Sequence, residues 1–190
     1  MGILGLVVDG IMDANKASKQ KKAQNNDSVE TVVVKDKFSI EIPSFLKPTN
    51  KLSTDAELQY WSVTLDIQYQ VTAESKAEFE KAVAETEEKI PSFGEGNSLL
   101  DKMAVVTIAN MFDIDKTEIG EYRERTINGL KAITLNAFQK RTFLKDALYG
   151  SFAFIEGRDT LYQIIILTGG TSISKLADKL EASIMSFKEL

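Results

Sequence analysis

The stretch EYRERTINGLKAITLNA, residues 121–137, decides how this chain folds. Polar and apolar side chains alternate on either side of Asn128-Gly129. That dipeptide supplies the two positive φ angles of a type I′ hairpin turn. A two-residue loop at this point sets the register of its strands. Ile127 faces Leu130, Arg125 faces Ala132, Arg123 faces Thr134 and Glu121 faces Asn136. The expected strands are Glu118 to Ile127 and Leu130 to Gln139. One face carries the polar set Glu121, Arg123, Arg125, Thr134 and Asn136; the other carries Tyr122, Ile133, Leu135 and Ala137.

Downstream, Leu148 to Ile155 and Leu161 to Leu167 form a second hairpin around Glu156-Gly157-Arg158-Asp159. Ile164-Ile165-Ile166 reads as a central strand buried on both faces. Gly169-Gly170 ends it. Thr171 or Ser172 caps a last helix with the apolar stripe Ile173, Leu176, Ala177, Leu180, Ile184 and Phe187.

Upstream lie two helices. Ser75-x-x-Glu78 is a capping box, and Phe79, Val83 and Ile90 make the first stripe, stopped by Pro91 and Gly94. The second opens at Asn97 or Ser98, where Asp101 favours the N-terminal end of the dipole. Leu99, Leu100, Met103, Ile108, Met111 and Phe112 give it a wide apolar face, as core packing requires. Before the helices, Trp61, Val63, Leu65, Ile67, Tyr69 and Val71 alternate with polar residues and predict one long strand with Trp61 on its buried side. Thr31 to Val34 and Phe38 to Ile42 are two further strands, the second closed by Pro43. Antiparallel runs with a few helices give an α+β class: a sheet of about six to seven strands with helices packed across it. Residues 29–190 show no internal boundary and read as a single α+β domain.

Residues 1–28 differ in composition. Ile3, Leu6, Val7, Ile11 and Ala14 fall at helical spacing, followed by Lys16, Lys19, Lys21 and Lys22. This amphipathic, polar extension reads foremost as a flexible tail whose apolar start folds back on the core. A weak peripheral membrane contact through residues 1–22, or a docking arm, is the sharper alternative. Leu6 stands where a myristoylation signal wants Ser or Thr.

Composition limits the chemistry. The chain has 190 residues, 43% hydrophobic and 27% charged, so it buries a core without a metal or disulfide. It has no cysteine, which excludes disulfides, thiolate zinc sites and thiol nucleophiles. It has no histidine, which excludes Ser-His-Asp triads and His-ligated metals. The net charge of −5 argues against nucleic acid as a partner. The longest apolar run, Ile3 to Val8, is too short to span a bilayer, and no basic residue precedes it as a secretory signal wants. The expected location is cytoplasmic, although a trimmed leader would read the same.

Several motifs point to chemistry and stop short of it. Asp113-x-Asp115-x-Thr117 with Glu124 brushes against a calcium loop, yet Glu118 sits where the turn needs glycine and a strand follows. Phe93-Gly94-Glu95-Gly96 lacks the continuation of a dinucleotide loop, and no Walker loop or G-x-S-x-G elbow occurs. No metal or cofactor is expected. The polar set of the central hairpin reads first as a solvated sheet face with cross-strand charge pairs. Its functional reading is a surface for an acidic partner or anion, because arginine forks match carboxylates. It would continue onto the polar face of the Trp61 strand if the two strands were neighbours.

Three stretches carry a family resemblance: Phe38-Ser39-Ile40-Glu41-Ile42-Pro43, then Ile127-Asn128-Gly129-Leu130-Lys131-Ala132, and Leu161-Tyr162-Gln163-Ile164-Ile165-Ile166 with a last helix ending in Ser183-Ile184-Met185-Ser186-Phe187-Lys188. Over roughly residues 35–190 the pattern resembles the Mog1/PsbP-like superfamily, including its bacterial DcrB-type branch. The resemblance implies an antiparallel sheet crossed by helices and a mostly non-enzymatic role. Members resemble adaptors: a Ran-binding factor, extrinsic photosystem subunits, and bacterial chaperones that shield apolar helices. No contact residue transfers position by position. Residues 1–28 fall outside the resemblance, and the two helices between 75 and 112 read as an elaboration. The expected function is a non-catalytic protein-binding module or chaperone-like adaptor with a protein partner. The alternative is a small apolar-ligand or lipid carrier with a pocket between the Trp61 strand and the helix of Met103 and Met111. A hydrolase working on carboxylates alone comes third. Oligomeric state stays open.

Overall fold

Two apolar layers lie on opposite faces of one antiparallel sheet. The computed structural model describes residues 18, 27–86, 93, 98–140, 147–169 and 176–190. The amphipathic reading of residues 1–22, the stop signals Pro91 and Gly94, the loop glycines 94 and 96, and the cap at Thr171 or Ser172 lie outside those residues.

Eleven strands and three α-helices are described. They are β1 (Val29–Val34), β2 (Phe38–Pro43), β3 (Lys47–Pro48), β4 (Ala56–Ser62), β5 (Ile67–Ser75), α1 (Lys76–Glu85), α2 (Leu99–Met111), β6 (Thr117–Ile119), β7 (Arg123–Ile127), β8 (Leu130–Lys140), β9 (Ala147–Glu156), β10 (Thr160–Thr168), α3 (Ala177–Met185) and β11 (Lys188–Glu189). The main sheet runs β3-β4-β5-β10-β9-β8-β6, with β7 also paired to β8; a smaller sheet runs β1-β2-β11. All described pairings are antiparallel. The α+β reading therefore holds, with more strands than the six or seven expected. The excess comes from two-residue edge strands and from two long runs that the structure divides.

The first divided run is the Trp61 stretch. It is a hairpin, β4 and β5, closed by Val63 to Asp66, with Ser62 opposite Ile67. Asp66 takes a positive φ of 52°, and its N–H donates to the Val63 carbonyl at 3.3 Å. Aspartate tolerates this left-handed conformation better than most residues. Period-two alternation crosses the turn unbroken, which is why the sequence reads as one strand. The faces do not continue. Val63 is 71% exposed at the turn, and Trp61 is only half-buried, on the face opposite Leu58 and Tyr60. The expectation of a core tryptophan in line with Tyr69 and Val71 is thereby corrected.

One layer gathers Phe38, Ile40, Ile42, Tyr69, Val71, Ile164, Ile166, Leu180, Ile184 and Phe187 beneath the small sheet and α3. The other gathers Phe79, Leu100, Met103, Ile108, Phe112, Ile133, Leu135, Phe152 and Phe154 beneath α1 and α2. Strand β10 lies between them, with Ile164 and Ile166 serving one layer and Ile165 the other. Gly150 permits this density, since a Cβ there would meet the Phe152 ring.

Helix ends follow local chemistry. Ser98 and Asp101 form a reciprocal capping box at α2. Helix α1 stops at Glu85, earlier than the Ile90 stripe implied. Thr86 becomes extended there, and its hydroxyl donates to the Ala82 carbonyl at 2.9 Å. Helix α3 starts at Ala177, later than the expected cap, with Leu176 at the N-cap and no side-chain bond to it. It is held elsewhere: Ser183 Oγ donates to the Glu41 carbonyl at 2.5 Å, and Glu41 N–H donates to Ser186 Oγ at 2.8 Å. At the end of α3 the Asn128 carboxamide donates to the carbonyls of Met185 (3.2 Å) and Phe187 (2.7 Å).

Asn128→Ala should destabilise the fold by about 2–3 kcal/mol in urea denaturation, because it strains a φ of 47° and removes both donors. Asn128→Asp keeps the turn preference but sets a carboxylate against two carbonyls, and should also destabilise. Separately, the Lys37 and Lys35 ammoniums hold the Glu57 carboxyl below its ordinary value. Its contribution is present above the unfolded carboxyl range and is lost as pH falls through the lowered folded value. Glu57→Gln should flatten that acid limb of a stability-versus-pH curve.

Candidate functional site

The Asn128-Gly129 turn has φ of 47° and 88°, and the register is the one a type I′ loop dictates: Ile127 with Leu130, Arg125 with Ala132, Arg123 with Thr134. Near the turn this face points into the core through Ile127 and Ala132. Farther along it becomes polar, where Arg123, Thr134 and Asn136 run out from under the apolar layer.

The strand expected over Glu118 to Ile127 is broken into β6 and β7. Ile119 pairs with Ala137, while Arg123 pairs with Thr134, so Glu121-Tyr122 is a bulge opposite Leu135. Gly120, not Glu121, stands against Asn136, its N–H donating to the Asn136 carbonyl at 2.8 Å. Bulges re-aim side chains. Here Tyr122 turns to the helical layer and donates its hydroxyl to the buried Asp101 carboxylate, while Glu121 turns to the opposite side.

All five predicted residues line one cleft of about 160 Å³: Glu121, Arg123, Arg125, Thr134 and Asn136. Strand β9 adds Ser151, opposite Asn136, and Tyr149, opposite Phe138. The far wall is α3, which buries Leu180 and Ile184 and leaves Ala177, Glu181 and Met185 along the rim. A shallower hollow beside Glu118 and Phe138 shares Asn136 and Tyr149 with it. The patch does not continue onto the Trp61 strand, because β9, β10 and β5 stand between β8 and β4.

The arginines are not bare. Arg125 donates to Glu181 at 2.8 Å and approaches Met185 Sδ at 3.9 Å, with its side chain 22% exposed. It straps α3 to β7. Arg123 pairs with Glu121 on the open rim. Two guanidiniums and two carboxylates balance in the lining. The Tyr149 phenol is pushed above its ordinary value by burial.

Sequence reasoning missed Tyr149, Ser151, Glu181 and Met185. Ala177, Glu181 and Met185 recur at i, i+4 beside the buried stripe, so a flanking-stripe reading could have found them. Tyr149 and Ser151 depend on the β8–β9 register, which no turn signal announces. The calcium-like spacing is scattered: Asp113 pairs with Lys116 in a short 3₁₀ turn, and Glu124 sits on β7 opposite Ile133. Among the described residues, no group of three or more Asp and Glu gathers as a metal site would need. Nor is any helix among them long and apolar enough to cross a membrane.

No family model matches the chain, and no curated protein matches it in sequence. Solved structures do match in shape. Cyanobacterial PsbP (CyanoP) from Synechocystis sp. PCC 6803 aligns with TM-score 0.55 at 12% identity, over 86% of this chain and 94% of that one. The Saccharomyces cerevisiae Ran-binding protein Mog1p aligns with TM-score 0.54 at 12% identity, over 85% and 95%. A Mog1 variant gives 0.53 at 10% identity, over the same shares. The chain therefore has the Mog1/PsbP-like fold, as the three sequence stretches implied.

All five tyrosines of the chain have raised phenol values, Tyr162 to about 12, with burial the first cause at each. Absorbance titration at the tyrosinate band should show little ionisation until pH passes the ordinary tyrosine value of 10. The tyrosines' contribution to stability should be full below that pH and fall as pH rises through the folded values.

Proposed function

We propose that the chain is a non-catalytic protein-binding module, of the adaptor or chaperone-like kind, with residues 29–190 acting as one α+β unit. The contact surface is the cleft between β7, β8, β9 and α3. One observation carries this reading. Polar side chains from two strands and a bulge converge with α3 on one open concavity. Backbone register and side-chain hydrogen bonds hold its walls in place, so the concavity is largely pre-formed. The shared fold with Mog1p, a Ran-binding protein, supports a protein as the partner class.

The lining suggests what such a partner presents. Thr134, Asn136, Ser151 and Tyr149 offer donors and acceptors at the floor, Met185 and Ala177 an apolar flank, and each arginine comes with its carboxylate. A bare anion would have to displace Glu121 or Glu181. A polypeptide segment with alternating polar and apolar side chains meets the surface without doing so. The carrier alternative has less support. Met103 is fully buried with Ile108, Phe152 and Phe154, and Trp61, Met103 and Met111 line neither the cleft nor the hollow beside it.

The test is affinity capture with cross-linking from native lysate, comparing variants. Arg123→Glu with Arg125→Glu, or Asn136→Arg filling the floor, should reduce recovery of a reproducible partner about tenfold with circular dichroism unchanged. Lys81→Glu on the exposed side of α1 should leave recovery intact. Equal recovery from every variant removes the cleft as the contact surface.

A further inference from the structure

Sheet edges present unpaired N–H and C=O groups, and soluble proteins blunt them with short strands, prolines, lysines or bulges. Three described edges of this fold are blunted. β3 is two residues long and ends in Pro48; β11 is two residues long and begins with Lys188; the β6–β7 edge is interrupted by the Glu121-Tyr122 bulge. β1 is the exception. Its six residues, VETVVV, contain no proline, lysine, glycine or bulge, and they pair with β2 in continuous register. Val29 is 53% exposed and Val33 59%.

The direction of the free groups can be worked out. Ser44 N–H donates to the Ser28 carbonyl, and Lys37 N–H donates to the Val34 carbonyl, so even-numbered residues of this strand address β2. A residue's N–H and C=O point to the same side of an antiparallel strand and alternate along it. Val29, Thr31 and Val33 therefore present their backbone groups to an edge that no other described strand pairs with. Their side chains also share the exposed outer face, whereas Val34 enters the core. The set is self-complementary. An antiparallel copy centred on Thr31 places Thr31 against the partner's Thr31 and Val29 against the partner's Val33, all as hydrogen-bonded pairs. The same register brings Asp27 toward the partner's Lys35, twice by symmetry. These are opposite charges on side chains 92% and 76% exposed, each now paired within its own chain, with Lys179 (20% exposed) and Glu57 (17% exposed).

We propose that a second copy of this chain pairs antiparallel along β1, about a two-fold axis at Thr31, joining the two small sheets into one six-stranded sheet. The interface is isologous and closes on itself, so it yields a dimer and not a fibre. It leaves the cleft of β7, β8, β9 and α3 open in both copies and does not depend on the function assigned to that cleft.

The experiment uses the full-length chain. Light scattering behind size exclusion should give twice 21.1 kDa at micromolar concentration. Val33→Lys should return it to the monomer mass with circular dichroism unchanged. Thr31→Pro, which deletes only an outward N–H, should do the same. Because the chain holds no cysteine, Thr31→Cys carries one thiol and should cross-link to dimer with a short bis-maleimide. Val33→Cys should not, since the two Val33 positions lie far apart in this register. Amide exchange should find Val29, Thr31 and Val33 protected in the dimer and fast in Val33→Lys. A monomer at every concentration up to millimolar overturns the proposal. So does a dimer unaffected by both edge variants, or cross-linking through Val33→Cys as efficient as through Thr31→Cys. A monomer with those three amides protected also overturns it, and would show that another part of the chain occupies the edge.

Discussion

The carboxamide of Asn128 ties the two walls of the cleft together. Its backbone takes the left-handed conformation that the β7–β8 turn requires, and its Nδ2 group donates to the carbonyl of Met185, the last residue of α3, and to that of Phe187 just beyond it. A helix C-terminus leaves carbonyls without intrahelical partners, so these bonds satisfy groups that would otherwise need water. One residue thereby sets the strand register that orders Arg123, Arg125 and Thr134, and also docks the helix that faces them. Arg125 repeats the connection one layer out, through Glu181. The cleft is thus a consequence of how a hairpin and a helix end are joined.

That junction exists because the main sheet must be covered on both faces. β10 is apolar on each side, so neither face can be left to solvent. α1 and α2 cover one. The other is shared between the small sheet and α3, which meet at β2 through Ser183, Ser186 and Glu41. Ser183 is buried, and because its single proton goes to the Glu41 carbonyl, the Tyr69 hydroxyl is the donor in the 2.9 Å contact with Ser183 Oγ. The cover is narrower than the sheet beneath it. At the β8 end it runs out, and there the sequence changes from Ala132 to Thr134 and Asn136. Polar residues at these positions solvate a face that would otherwise cost apolar exposure.

Much of this was legible in the residues. Asn-Gly has one common use between alternating strands, so β7, β8 and the face shared by the polar set could be read directly. Ile164-Ile165-Ile166 likewise admits little besides a doubly buried strand. The Trp61 stretch was misread because a four-residue turn preserves parity: alternation continues through Val63 to Asp66 while the buried face changes. The bulge at Glu121-Tyr122 was hidden for a related reason. One extra residue leaves composition unchanged, and only the partner register exposes it. The second wall of the cleft was out of reach, since α3 arrives from more than forty positions downstream of Asn136 and its approach depends on Ser183 and Ser186 meeting Glu41. Period and propensity are local quantities, whereas that approach is set by contacts between distant segments.

Charge pairing in the cleft bears on what kind of recognition the fold can support. Exposed unpaired arginines attract polyanions of any shape, and such attraction weakens with salt. Glu121 and Glu181 cancel that attraction before a partner arrives. Steering by net charge is then small, and the chain's own charge of −5 adds nothing to draw an acidic surface in. What remains is discrimination at short range. On the proposed reading of the cleft as a contact surface, a partner must match the spacing of donors and acceptors on β8 and β9, and it must either leave both ion pairs intact or replace each with one of equal geometry. Leaving a guanidinium without its carboxylate in a partly buried wall costs more than a solvent-exposed pair gains, so mismatched partners are penalised at Arg125 more than at the open rim. On that proposal, specificity comes from what the cleft refuses, and Arg125, the more enclosed of the two arginines, is where refusal is strongest.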